Sequence, residues 1–289
     1  MKRAYTLLLG AWFALAAVQS FADPAAVVEG VQSPAWVEHD GVSTPLAPGM
    51  VLVAGDRVRT GADSRLLVKL AEGSHVKLGA NASLAITALE PDRGGFFSAA
   101  MKVFKGAFRF TTAVFAKARR RDVSITLNTV TAGIRGTDLW GSSSADKQIV
   151  CLIEGKIEVK PDNEAAITMD QPLEFYRREH GKSLPVGKVS PEQLAKWAAE
   201  TDIRKGAGAA MRGGKWKLIL ATVRTQSEAL DLYDALRVAG YPAGIYPAMA
   251  SGKRVYRVRI AQLPSRAEAE ALAGRLRGKL GVSEPKVSR

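Results

Sequence analysis

The chain has 289 residues, 41 Lys or Arg against 28 Asp or Glu, a formal net charge of +13, 47% hydrophobic residues and one cysteine, Cys151. So large an apolar fraction excludes a disordered chain, and one cysteine excludes an internal disulfide framework, so stability has to come from burial. The length accommodates two domains, each with its own core.

At the start, Lys2 and Arg3 precede an apolar run from Thr6 to Val18, and Ser20-Phe21-Ala22 places small residues where signal peptidase cuts. The expectation is a signal peptide over 1–22, cleaved after Ala22, and a mature periplasmic chain from Asp23. The alternative, an uncleaved anchor, has a run shorter than the ~20 residues a bilayer span needs. No later stretch reads as a transmembrane span, and Cys151 is too distant for lipid attachment. Cleavage removes two bases and no acids, taking the charge from +13 to +11. Between Gly213 and Arg289 there are 14 Lys or Arg and 6 Asp or Glu, so +8 of that +11 sits in the last quarter of the chain. Outside the inner membrane such a surface meets phospholipid heads, lipopolysaccharide or teichoic-type phosphates and acidic wall material rather than nucleic acid.

From Val27 to about Tyr176 short alternating stretches are separated by turn residues. Leu66, Val68 and Leu70 share one face, as do Val76 and Leu78, Val123, Ile125 and Leu127, and Ile157 and Val159. The pattern predicts an all-β domain over 23–176, a β-sandwich or a β-solenoid. Between two strands, "NTVTAGIRGTDLWG" (Asn128 to Gly141) turns sharply. Gly133 and Gly136 permit the bend, Ile134 drops inward, and Arg135 is free to bond turn carbonyls or Asp138. This is a structural corner more than a site. Cys151, within "QIVCLIEG", reads as a buried thiol.

The stretches "PGMVLVAGDRVRTGADSRLLVKLAEGSHVKLGANASLAI", "FKGAFRF", "TVTAGIRGTDLW" and "VCLIEGKIEVK" together resemble the FecR periplasmic domain over Val27 to Val159. They include its gD-I-TG-dS segment, its dGS turn, with Glu72 in the acidic position, and its vRGT signature at Ile134 to Thr137. The resemblance implies a signal-receiving or scaffolding domain with a protein partner in the periplasm or envelope, and no catalytic activity.

Residues 177–214 are expected to hold a helix and a flexible linker. "SPEQLAKWAAETDIRK" has Pro in the first turn and Leu194, Trp197 and Ala198 at helical spacing, as for a helix docked on the first domain. "KGAGAAMRGG" follows without pattern. Beyond it the chain repeats at an offset of 40, with Trp216, Leu218, Leu220, Thr225, Ala229, Leu232 and Leu236 matched by Tyr256, Val258, Ile260, Ser265, Ala269, Leu272 and Leu276. Thr225-x-x-Glu228 and Ser265-x-x-Glu268 have capping-box spacing, with Gly240 and Gly281 as helix stops. Strands near Gly244 to Ala248 and Glu284 to Val287 complete a β-α-β-β-α-β order. Helices cover one face of the sheet, and the other stays open.

Lys215 to Val287 resembles a SPOR (sporulation-related repeat) domain, which implies binding of peptidoglycan, in particular septal glycan strands stripped of stem peptides. Against the family's V-Q-x-G-S-F, "LILATV" keeps the hydroxyl as Thr222 and has Ile219 for the glutamine. In strand three Arg257 is kept and Val255 takes the aromatic position. Alternation puts Lys217, Ile219, Val255, Arg257 and Arg259 on the open side, and with Thr222 these form the candidate glycan-binding set. An RNA-binding reading of the same strand order fails, because the outward positions carry no stacking aromatics.

No cofactor, metal or catalytic residue is expected. His39, His75 and His180 are far apart and without ligand spacing, no nucleophile motif occurs, and Asp56, Asp63 and Glu72 sit in turns. The expectation is a secreted, non-enzymatic protein: a FecR-like β scaffold joined to a SPOR domain, 215–289, that binds peptidoglycan at some stage of wall growth or cell division. The alternative is a periplasmic signalling module whose main ligand is another protein.

Overall fold

A computed structural model describes residues 24–93, 96–112, 120–134 and 136–289. The expected signal peptide and Arg135 lie outside the described residues.

Seventeen strands come first among the described residues: β1 (Ala26–Gln32), β2 (Ala35–His39), β3 (Val42–Pro45), β4 (Val51–Leu52), β5 (Arg57–Thr60), β6 (Arg65–Leu70), β7 (His75–Leu78), β8 (Ser83–Arg93), β9 (Phe96–Thr111), β10 (Arg120–Leu127), β11 (Val130–Ile134), β12 (Asp138–Ser143), β13 (Lys147–Glu154), β14 (Ile157–Pro161), β15 (Ile167–Met169), β16 (Glu174–Glu179) and β17 (Lys182–Lys188). Their pairing makes two layers. One runs β1-β6-β7-β9-β12-β13-β16-β17. The other runs β3-β2-β5-β8-β9-β10-β11-β14-β15, antiparallel except for β9 with β10.

Strand β9 belongs to both layers. Its first part pairs with β8 and β10, and residues 106–111 pair with β12. The crossing is at Gly106, where φ is +89° and a Cβ would lie 2.6 Å from Ala82, so only glycine fits. After β9 the hairpins β10-β11, β12-β13, β14-β15 and β16-β17 alternate between layers. Of the two architectures compatible with the sequence, this is a sandwich. Leu52, Val68, Leu70, Val76 and Leu78 of one layer meet Val58, Leu84, Ile86 and Met101 of the other around a common interior.

The corner at 134–138 is where the chain leaves one layer for the other. Gly136 has φ +72°, Thr137 N–H donates to Thr112 Oγ1 (3.1 Å), and Thr137 Oγ1 donates to the Lys156 carbonyl (3.0 Å). Asp138 accepts two bonds from Arg109, at 2.9 and 2.7 Å. These side chains tie the corner to the neighbouring strands, as a fold signature does. The expected boundary at residue 176 falls inside β16, and the β region continues through β17 to Lys188.

Helix α1 (Pro191–Ala199) is capped by Ser190, whose hydroxyl accepts from Gln193 N–H. It docks on the outer side of the first layer. The Trp197 ring stacks on Trp140 at 4.7 Å with 6° between planes, and Phe175 meets it edge-on. Beneath lies a small second core of Ala107, Trp140, Ile149, Cys151 and Val189. Burial pushes the Cys151 thiol up to about 12.

The glycine- and alanine-rich stretch expected as a flexible linker is bound along its length. Strand β18 (Ala210–Met211) pairs with β1, and Arg212 N–H donates to the Glu29 carbonyl (2.8 Å). Ahead of it, the Glu268 carboxylate accepts from the backbone N–H of Gly206, Gly208 and Ala209, at 2.6, 2.7 and 3.1 Å. Composition predicts mobility only where nothing competes for the backbone; here a buried carboxylate and a strand edge do.

The last region is β19 (Trp216–Val223), α2 (Gln226–Val238), β20 (Gly244–Ala250), β21 (Lys253–Leu263), α3 (Arg266–Leu276) and β22 (Lys286–Ser288), in sheet order β20-β21-β19-β22. Ala229, Leu232, Leu236, Ala269, Leu272 and Leu276 of the helices bury Leu218, Leu220, Val258 and Ile260 of the sheet. Thr225 and Glu228 form a full capping box. Ser265 caps α3 through Glu268 N–H, but the Glu268 side chain turns to 206–209 instead of back to Ser265. Helix α3 also stops earlier than expected: Gly278, at φ +72°, follows its cap, and Gly281 belongs to the next turn.

The two regions touch directly. Ala35 N–H donates to the Gly240 carbonyl (3.2 Å), and Trp36 Nε1–H donates to the Val238 carbonyl (3.3 Å). Arg275 donates to the carbonyls of Ala207 (2.9 Å) and Ser33 (2.7 Å). A Cβ on Gly240 would fall 2.5 Å from the Trp36 ring, so the close approach requires glycine there.

Candidate functional site

The open face of the four-stranded sheet is read from its register. Ile219 lies opposite Arg259 and Thr222 opposite Arg257, with Leu220 bulged between them. The bulge matters because plain alternation from Lys217 and Ile219 would send Thr222 toward the helices. The extra residue returns it to the open side. Leu220, in the bulge, is buried among the helices.

On the outer strand β22, Lys286 stands opposite Ile219 and Ser288 opposite Lys217. On β20, Tyr246 stands opposite Arg257, Gly244 opposite Arg259 and Ala248 opposite Val255. Lys217 Nζ reaches the Arg289 carbonyl at 3.5 Å. Val255, expected as a contact residue, shares the face by register but is 8% exposed, so it supports its neighbours and offers little surface.

Tyr246 and Lys286 are additions to the sequence-derived set. Tyr246 is 41% exposed, and the Arg259 guanidinium lies over its ring, 3.5 Å from the centroid. Gly244 makes room for that ring: a Cβ there would sit 3.0 Å from it. The face expected to lack an aromatic therefore carries one, supplied by the strand paired with β21 rather than by β21 itself. The signal was present in the sequence, because Tyr246 is central in the predicted strand; its register was not.

Among the described residues none of Lys217, Arg257, Arg259 and Lys286 pairs with an Asp or Glu side chain. Four cations, a threonine hydroxyl and an aromatic ring thus share one side of the sheet. Such groups donate to hydroxyls, amide carbonyls and carboxylates, and an aromatic face packs on the C–H side of a sugar ring.

On the sandwich, Arg57 and Lys102 flank the Phe104 ring at 4.6 and 5.3 Å, and Arg57 also donates to the Ser83 hydroxyl. His39 pairs with Asp56 (2.7 Å) and His75 with Glu29 (3.0 Å), on separate strands. Among the described residues no three His, Cys, Asp or Glu side chains converge as metal ligands.

Comparison with known proteins fits both halves. A family model for the SPOR domain matches residues 213–287, and a model described as FecR protein matches residues 56–158. The chain carries a FecR domain followed by a SPOR domain. No curated protein matches the chain. Two crystal structures of a candidate anti-sigma factor from Parabacteroides distasonis ATCC 8503 are similar to it. One is 15% identical, covering 76% of this chain and 89% of that one with a TM-score of 0.41. The other is 13% identical, covering 68% and 96% with a TM-score of 0.40. SPOR and FecR domains are binding and regulatory modules, and the SPOR domain indicates peptidoglycan binding. No helix among the described residues is long and apolar enough to cross a membrane.

Proposed function

We propose that the protein is a non-enzymatic periplasmic scaffold, secreted with cleavage after Ala22, that binds peptidoglycan glycan strands through the open face of its SPOR domain. Lys217, Thr222, Arg257 and Arg259 would bond the sugar hydroxyls, N-acetyl carbonyls and lactyl carboxylates, with Tyr246 and Lys286 beside them and Ile219 and Val255 as the apolar floor. Denuded septal glycan is the form proposed, as the SPOR resemblance implies. The observation that carries the proposal is the juxtaposition of cations that no Asp or Glu side chain among the described residues neutralises with the Tyr246 ring, on the side the helices leave uncovered.

The test is cosedimentation of the mature chain with purified sacculi, before and after amidase treatment. Pelleting should rise with amidase and fall at least about tenfold in Arg257→Ala, the loss expected when a charge-assisted bond worth 1.5–3 kcal/mol is removed. No pelleting in either condition would sink the proposal and favour the second reading, a regulatory module whose main ligand is a protein. The FecR match supports that second reading.

A further inference from the structure

Where the two domains meet, a groove of about 670 Å³ opens between β2, β3 and β5 of the sandwich and the last turn of α2. It lies on the helix side of the SPOR sheet, away from the open face. Trp36 forms its floor, and Val42 and Val238, 58% and 81% exposed, stand at its edges. Arg59, Arg237 and Asp234 complete the wall. Two guanidiniums against one carboxylate leave the rim net positive, and none of the three is in an ion pair among the described residues. The Arg59 guanidinium instead lies 5.7 Å from the centre of the Trp36 ring.

The walls are held in place. Trp36 Nε1–H is bonded to the Val238 carbonyl, Ala35 N–H to the Gly240 carbonyl, and Gly240 admits the indole where any side chain would clash. Two exposed valines and an indole at the base of a fixed cleft are costly surface to leave to water, and tryptophan and arginine are among the residue types enriched where binding energy concentrates.

We propose that this groove is a docking site for a segment of a partner protein carrying carboxylates beside large apolar side chains. The apolar side chain would lie on Trp36 between Val42 and Val238, and the carboxylates would meet Arg59 and Arg237. Both domains supply contacts, so such a partner reads their relative placement, and the open face remains free for another ligand.

The probe is the synthetic peptide acetyl-Leu-Asp-Leu-Glu-amide, titrated into the full mature chain while the indole N–H resonance of Trp36, assigned with Trp36→Phe, is followed by NMR. The acidic peptide should shift this signal saturably. The Asn/Gln version should bind at least tenfold more weakly, and the Arg59→Ala/Arg237→Ala double variant should lose the response while its other indole signals stay in place. A response absent with the acidic peptide, equal for both peptides, or intact in the double variant overturns the proposal. So does a shift produced by N-acetylglucosamine oligomers instead, or by raising protein concentration alone, which would mean a sugar or a second copy. Sacculus pelleting of the double variant should match wild type, which separates this outcome from the fate of the glycan reading.

Discussion

At the scale of single residues, the best-defined group is the capping box at the start of α2. The Thr225 hydroxyl accepts from Glu228 N–H, and the Glu228 carboxylate accepts from Thr225 N–H. Thr225→Ala should destabilise the protein by about 1 kcal/mol in urea unfolding. The Glu228 carboxyl is held below its usual range by the Thr225 side chain and backbone. A depressed carboxylate stabilises the fold above its unfolded value of about 4.3, and that contribution is lost as pH falls through the folded value. Glu228→Gln should therefore flatten the acid limb of the stability profile and leave its shape above pH 5 unchanged. Cys151 is the converse case. With its thiol pushed up to about 12 by burial, it presents almost no thiolate at neutral pH. Maleimide labelling should wait on unfolding; rapid labelling of the native chain would contradict its burial.

At the scale of elements, the 206–211 strap decides how the halves are joined. Glu268 is 8% exposed and accepts three backbone N–H groups, so Glu268→Ala would leave those donors unsatisfied, at a cost of at least about 2 kcal/mol. Hydrogen exchange at Gly206, Gly208 and Ala209 should accelerate in the variant while the α2 amides are unchanged. Helix α1 behaves differently, because it is attached by stacked rings. Trp197→Ala should expose Trp140 and cost about 1–2 kcal/mol, less than a core aromatic truncation because Trp197 is only partly buried, without altering the SPOR sheet.

At the scale of the whole molecule, the two domains share one continuous core, and Arg275, Gly240 and β18 each cross the boundary. The mature chain should accordingly unfold in a single calorimetric transition, and Glu268→Ala/Arg275→Ala should split it in two; one transition in both proteins would mean that these bonds do not couple the domains. Much of this was legible from the sequence. Period-two apolar runs such as Val123, Ile125 and Leu127 determine strands, hydroxyl-x-x-Glu spacing determines where α2 and α3 begin, and the 40-residue offset determines the β-α-β-β-α-β order, because these are local consequences of side-chain direction and backbone bonding. What only the tertiary structure decided depends on partners distant in the chain. The bulge at Leu220 turns Thr222 outward, β20 brings Tyr246 under Arg259, and Glu268 leaves its expected local bond for backbone about 60 residues earlier. A carboxylate takes whichever donors the packing offers, and no spacing along one segment announces which those will be.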